Sequence, residues 1–236
     1  MGGAAGYDRG MKPWIHLDSA QMPDDGGELR LMRRDTEFSI MAGPIELMNS
    51  RLSGSEEALA TLAWERLSGR AAPRVLIGGL GMGFTLRAAL AVLPGDARVT
   101  VAELVPAVVA WARGPLAGVF SGCLDDPRVT IREGDVGPLI GARQAAWDAI
   151  LLDVDNGPEG LTRRANDALY DLAGLARTRA ALTRGGVLAV WSSAPDEGFT
   201  RRMRRSGLLT EVLRVPARKG GRGARHVIWI GTNGGR

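Results

Sequence analysis

The chain has 236 residues, 45% of them hydrophobic and 24% charged, which is the composition of an ordinary globular protein. A chain this long buries roughly 70–75% of its unfolded surface, so it needs no metal or disulfide staple; the lone Cys123 forms no internal bridge, and His16 and His226 lie too far apart for a Cys/His zinc cluster. The net charge of +4 comes from 30 basic against 26 acidic residues, and Lys12 and Lys219 are the only lysines, so the excess of arginine speaks for a coding bias more than for a nucleic-acid surface.

No apolar run approaches the roughly 18–20 residues that span a bilayer. The N-terminus has neither the apolar core of a signal peptide nor a Ser or Thr at position six for myristoylation. The expectation is a soluble cytoplasmic protein with no membrane partner.

Residues 1–26 read as irregular, with the turn-like Pro23-Asp-Asp-Gly-Gly. Tyr7 and Trp14 fall in this segment, and a lid over a pocket is one arrangement open to it. Short strand-like pieces at 28–33, 37–41 and 45–48 predict a small β-hairpin appendage. A helix follows through 56–67, with Ser53 or Ser55 as its cap. The domain expectation is an N-terminal segment over 1–52 and a larger domain over 53–236.

After Gly69 apolar strands alternate with helices. Strands are expected at 74–78, 98–103, 128–132, 148–153 and 186–191, with helices at 83–93, 106–113, 136–143, 167–182 and 196–206. A final pair of strands at 209–215 and 226–231 closes on the Gly/Arg-rich loop 217–224. The strands are continuously apolar, as in parallel sheets buried on both faces. The fold class is α/β, with a Rossmann-like, mostly parallel seven-stranded sheet.

The strongest local signal is Val75-Leu-Ile-Gly-Gly-Leu-Gly-Met-Gly-Phe-Thr, a strand running into a glycine-rich turn and a helix. Gly78, Gly79, Gly81 and Gly83 let the backbone approach a ligand at a helix N-terminus. Phe84 stands where the dinucleotide fingerprint has its last glycine. Glu103 ends the next strand, 20 residues after Gly83, where a carboxylate can accept from both ribose hydroxyls of a nucleoside; Leu104 follows it. Asp135 and Val136 follow the third strand, where a carboxylate or its neighbouring backbone can read the exocyclic amine of an adenine. Asp153 and Asp155 follow the fourth. Acids at these strand ends converge on one crevice.

Four other features carry blander readings. Trp64, Trp111, Trp191 and Trp229 sit at packing positions and read as core. Cys123 has no basic partner nearby and no nucleophile signature. The arginines of Arg201-Arg-Met-Arg-Arg read as a solvated helical face, and neither histidine lies in a hydrolase motif.

The glycine loop, Glu103-Leu-Val-Pro-Ala-Val-Val, Gly134-Asp135, the 148–158 segment and Leu182-Thr-Arg-Gly-Gly-Val-Leu-Ala-Val resemble the spermidine synthase family of class I adenosylmethionine-dependent transferases. The resemblance covers about residues 28–232. It implies that Gly79, Gly81 and Glu103 bind the sugar and amino-acid part of S-adenosylmethionine or its decarboxylated form, that Asp135 binds adenine, and that Asp153 holds the attacking amine. It implies no metal, and it leaves a homodimer open, because the hairpin appendage can pair with another subunit.

The departures from the family pattern are specific. Gly81 stands where these synthases have an aspartate that meets the ammonium of the decarboxylated cofactor, so a like-charge penalty against intact S-adenosylmethionine is gone. In Asp153-Val-Asp155-Asn-Gly-Pro the second acid comes one place early. The family's Tyr-His-Glu becomes Ser55-Glu56-Glu57, and a hairpin glutamine becomes Glu46. Asp153 and Asp155 are the catalytic expectations; Glu46, Glu56 and Glu57 are secondary contacts for a cationic small-molecule amine. Gly81 tips the expected chemistry towards methyl transfer from S-adenosylmethionine. The alternatives are aminopropyl transfer to putrescine or a similar polyamine, an RNA methyltransferase, and a nucleoside-binding protein without turnover.

Overall fold

The structure is a computed structural model, and it describes residues 12–23, 26–67, 69–154, 168–218, 220–221 and 223–234. Two sheets organise these residues. The first holds β1 (Ile15–Gln21), β2 (Glu28–Arg34), β3 (Glu37–Ala42) and β4 (Ile45–Asn49), paired antiparallel in sequence order. It is therefore a four-stranded meander where the sequence predicts a hairpin. β1 escapes prediction because a bulge between His16 and Asp18 breaks its period-two alternation.

Helix α1 (Gly54–Leu67) leads into the second sheet. Its strands are β5 (Arg74–Gly78), β6 (Arg98–Glu103), β7 (Val129–Glu133), β8 (Trp147–Leu152), β9 (Leu182–Ser192), β10 (Leu209–Pro216) and β11 (Arg225–Thr232). Their order is β10-β11-β9-β8-β5-β6-β7, and β11 alone runs against the rest. Between the strands come α2 (Phe84–Val92), α3 (Pro106–Arg113), the short α4 (Ala117–Phe120), α5 (Val136–Gly141), α6 (Leu172–Ala181) and α7 (Glu197–Arg205). α6 lies within the expected 167–182; its start is set by Asp171, whose side chain accepts from Gly174 N.

Alternate residues of the apolar strands feed two cores. Val75, Ile77, Val99, Val101, Leu151 and Ile228 face one side, where Leu59, Ala63 and Leu67 of α1 and Leu29, Leu31 and Ile40 of the first sheet meet them. Leu76, Ile150, Leu152, Leu188, Val190 and Trp229 face the other, under α5, α6 and α7. This double burial explains why the strands read as unbroken apolar runs. Among the described residues, no helix is long and apolar enough to cross a membrane.

The sheet reverses its order of connection at β5, with β6 on one side and β8 on the other. A crevice opens beyond the carboxyl ends of these strands, as this topology requires. Beyond the last ladder residues the loops stay stitched together: Gly79 N donates to Ala102 O, Asp153 N to Gly78 O, and Gly134 N to Glu103 O, at 2.7–2.9 Å.

Candidate active site

The crevice holds two chambers. The larger runs under the glycine loop, past Gly79, Glu103, Leu104, Gly134, Asp135 and Val136. The smaller lies beside it, between Asn49, Glu56, Met82, Phe84 and Trp191. Leu47, Met48, Gly81 and Asp153 line both and so form the passage between them.

Backbone conformation shapes the first chamber. Gly79 has φ +90°, and a Cβ there would sit 2.2 Å from the carbonyl oxygen of Asp153. Any side chain would push the two strand ends apart. Gly81, at φ +51°, has more room: its Cβ would meet only Met48 Sδ, at 3.4 Å. Gly83 and Gly78 serve packing instead. A Cβ on Gly83 would lie 2.5 Å from the Phe120 ring, and one on Gly78 would press on Leu152 and Val136. Neither lines either chamber.

Glu103 is 7% exposed. Its Oε2 accepts from Leu80 N and its Oε1 from Val105 N, each at 2.9 Å, so the carboxylate ties the glycine loop to the start of α3. Burial pushes its pKa up, and the backbone N–H donors pull against that shift. Each oxygen keeps a lone pair for a hydroxyl in the chamber. Asp135 Oδ1 accepts from Gly137 N at 2.7 Å and caps α5 from the N-cap position. Val136 and Leu104 supply apolar wall. Small glycines at positive φ beside a buried acceptor and apolar side chains suit a nucleoside with a short tail, so these residues fit an adenosyl cofactor.

The second chamber is lined by side chains from distant elements. Asp153 lies just beyond β8 and takes a 2.7 Å hydrogen bond from Thr85 Oγ1. Burial, and then the neighbouring Glu56 carboxylate, push its pKa up to about 7. Glu56, in the first turn of α1, is shifted upward too, first by burial, with Glu57 adding repulsion. Two carboxylates thus face one small space, and a proton held by either one relieves their repulsion. Such a space favours a cation.

Other expected contacts lie elsewhere. Glu46 points away from both chambers: Arg51 pairs with it at 2.9 Å, and Ser39 and Asn49 donate to it. A bulge between Ile40 and Met41 shifts the β3–β4 register, and Leu47 and Met48 line the chambers instead. Glu57 lies outside the chamber lining. Asp155 falls outside the described residues. Trp14 lies against Arg34 and Arg51 on the first sheet, 4.7 and 5.9 Å from their guanidinium carbons, and lines neither chamber. Ser53 stands at the N-cap of α1, its carbonyl accepting from Glu57 N, and Ser55 lies within the first turn. Its side chain turns inward.

Trp191, Leu47, Met48 and Asn49 are among the site residues that sequence reasoning missed. Trp191 read as core because it ends an apolar strand, yet at 7% exposure it forms chamber wall. Trp111 and Trp229 are buried as expected, and the Trp111 indole donates to Asp18. Cys123 is half-buried, with its thiol pushed up to about 11 by burial, which leaves it a poor nucleophile.

Comparison with known proteins places this fold. The crystal structure of a spermidine synthase in complex with the transition-state analogue AdoDATO superposes on 93% of this chain and 72% of that one, with TM-score 0.72 and 20% identity. Spermidine synthase from Thermotoga maritima matches over the same shares, with TM-score 0.69 and 20% identity. The fold is spermidine synthase-like. In sequence, a polyamine aminopropyltransferase of Mycobacterium tuberculosis is 34% identical over 124 residues, which are 51% of this chain and 23% of the relative. The match therefore spans about a quarter of that relative's length. No protein-family model matches the chain.

Proposed function

We propose that this spermidine synthase-like chain is a transferase that moves the aminopropyl group of a decarboxylated adenosyl-sulfonium cofactor to a small amine. The observation that carries this reading is the position of Asp153 in the passage between the two chambers, with its carboxyl raised to about pH 7. The similarity to a polyamine aminopropyltransferase supports this chemistry over methyl transfer. The reading keeps the division of the chain at residues 52 and 53.

When bound, the sulfonium supplies an electrophilic carbon and a thioether leaving group. The chain's own residues do the rest. Gly79, Gly81 and Glu103 orient the adenosyl part under the loop, and Glu56 attracts an incoming ammonium. Asp153, ionised above its raised pKa, takes the amine's proton at the passage, so that a neutral nitrogen faces the carbon it attacks. Phe84, Met82 and Trp191 keep the second chamber apolar and limit competing water. Positioning accounts for most of the acceleration, because in-line displacement at a held sulfonium needs little else.

Methyl transfer from intact S-adenosylmethionine remains the second reading, and Gly81 favours it: no side-chain carboxylate at that position repels the carboxylate of the intact cofactor. A turnover assay separates the two. The aminopropyl reading expects the decarboxylated cofactor and putrescine to yield methylthioadenosine. Release of S-adenosylhomocysteine from intact cofactor, with no methylthioadenosine from the decarboxylated form, would favour methyl transfer.

A further inference from the structure

Behind the second chamber a hydrogen-bonded line runs from α1 to the far part of the sheet. Ser55 Oγ donates to Glu56 Oε2 at 2.6 Å, and the same Oγ lies 2.8 Å from His226 Nδ1 on β11. A hydroxyl has one proton to give. With Glu56 ionised, Ser55 gives it to the carboxylate and the Nδ1-protonated tautomer of His226 donates in turn, so the line runs imidazole N–H to hydroxyl to carboxylate. Trp191 holds the imidazole in place, edge against face, with ring centroids 4.9 Å apart, and Trp191 itself forms chamber wall. Ser55 is fully buried, an unusual place for a serine at the start of a helix unless its hydroxyl is needed.

We propose that Ser55 and His226 are positioning residues that hold Glu56 against the second chamber as the charged member of its pair with Asp153. Two carboxylates that share a proton leave open which one carries the charge, and the donor line decides it. A donor aimed at a carboxylate favours its ionised form. Among the described residues, Glu56 receives such a donor from Ser55, backed by His226, and Asp153 receives the Thr85 hydroxyl. The resting charge then sits on Glu56, the shared proton sits on Asp153, and the pair presents one negative charge to one ammonium.

Among the described residues, the charged and titratable groups around Glu56 are few. Asp153 faces it from the end of β8, Glu57 adjoins it on α1, and His226 stands behind Ser55 on β11. Asn49, Phe84 and Trp191 close the wall without charge. Beside His226 along β11, the Arg225 guanidinium reaches back to the Arg214 carbonyl on β10. Burial lowers the pKa of His226, which keeps the ring neutral near pH 7 as an Nδ1 donor.

The acceptor chamber served by this charge belongs to the function proposed above, but the test needs no turnover. The free protein is labelled with carbon-13 at its Asp and Glu carboxyls, and Glu56→Gln and Asp153→Asn assign the two signals in a pH titration. In the wild type, Asp153 takes up its proton at higher pH than Glu56. Ser55→Ala, which removes one oxygen and little volume, raises the Glu56 midpoint by about one pH unit and lowers that of Asp153. His226→Phe does the same. His226→Asn, whose amide N–H can replace the Nδ1 donor, keeps the wild-type order, which a merely structural role for His226 would not predict. A Glu56 midpoint unchanged in Ser55→Ala, or a His226→Phe titration that overlays that of His226→Asn, overturns the inference. A protein that titrates as described but releases no methylthioadenosine with any amine would defeat the proposed function and leave this inference standing.

Discussion

The chamber under the glycine loop and the chamber beside Trp191 share a passage, yet they are made of different materials. The first is built of backbone: glycines at positive φ, strand ends tied by N–H···O bonds, and Glu103 held by one main-chain donor on each oxygen. The second is built of side chains from α1, α2, β4, β8 and β9, with a carboxylate pair whose protonation is delicately balanced. A backbone site binds whatever shape the loop admits and tolerates little change. A side-chain site is set by charge and is easily retuned. Substitutions should therefore act in opposite ways on the two sides.

The largest effect is expected on the backbone side. Gly79→Ala forces a Cβ into the Asp153 carbonyl at a backbone angle that alanine resists, and should cost about 3 kcal/mol in denaturant unfolding while abolishing cofactor binding. Asp153→Asn should do the reverse. Turnover should fall by about 10²- to 10⁴-fold with cofactor affinity nearly kept, while the protein becomes more stable. The sign follows from linkage. A carboxyl raised from 3.8 to about 7 on folding loses stability as pH rises between those values, because the unfolded chain binds fewer protons there. The gain in melting temperature of Asp153→Asn over the wild type should thus be larger at pH 8 than at pH 5. Wild-type turnover should rise with pH through about 7; a flat profile would remove Asp153 as the base.

These two chambers were unequally legible in the sequence. The first lies in contiguous stretches, 77–83, 103–104 and 134–136, where a strand meets a loop and each residue's neighbours announce its place. The second joins Asn49, Glu56, Asp153 and Trp191, which only the tertiary fold brings together. His226 stood out as one of two histidines, but no local pattern ties it to Ser55, 171 positions away. The strands of the large sheet were readable because both faces are apolar, whereas bulged β1 was not. Glu46 shows a register failure: a single bulge decides which β4 residues face the crevice.

Smaller effects sharpen the contrast. Glu103→Gln places an amide N–H against one of two backbone donors and should weaken cofactor binding by about tenfold in calorimetry. Gly81→Asp fits the space beside Met48 Sδ, and aspartate tolerates the left-handed backbone; it should shift preference towards the decarboxylated cofactor by about tenfold. Glu46→Ala should leave the amine KM unchanged and cost about 1 kcal/mol or less, since its ion pair with Arg51 is partly exposed.

The most direct test of the central claim, that the backbone-built chamber takes a decarboxylated adenosyl-sulfonium, is calorimetric titration of the protein with decarboxylated and intact S-adenosylmethionine in turn. The account expects the decarboxylated form to bind about tenfold tighter, a difference of about 1.4 kcal/mol. Tighter binding of the intact cofactor would contradict aminopropyl transfer, and binding of neither would contradict the cofactor site itself.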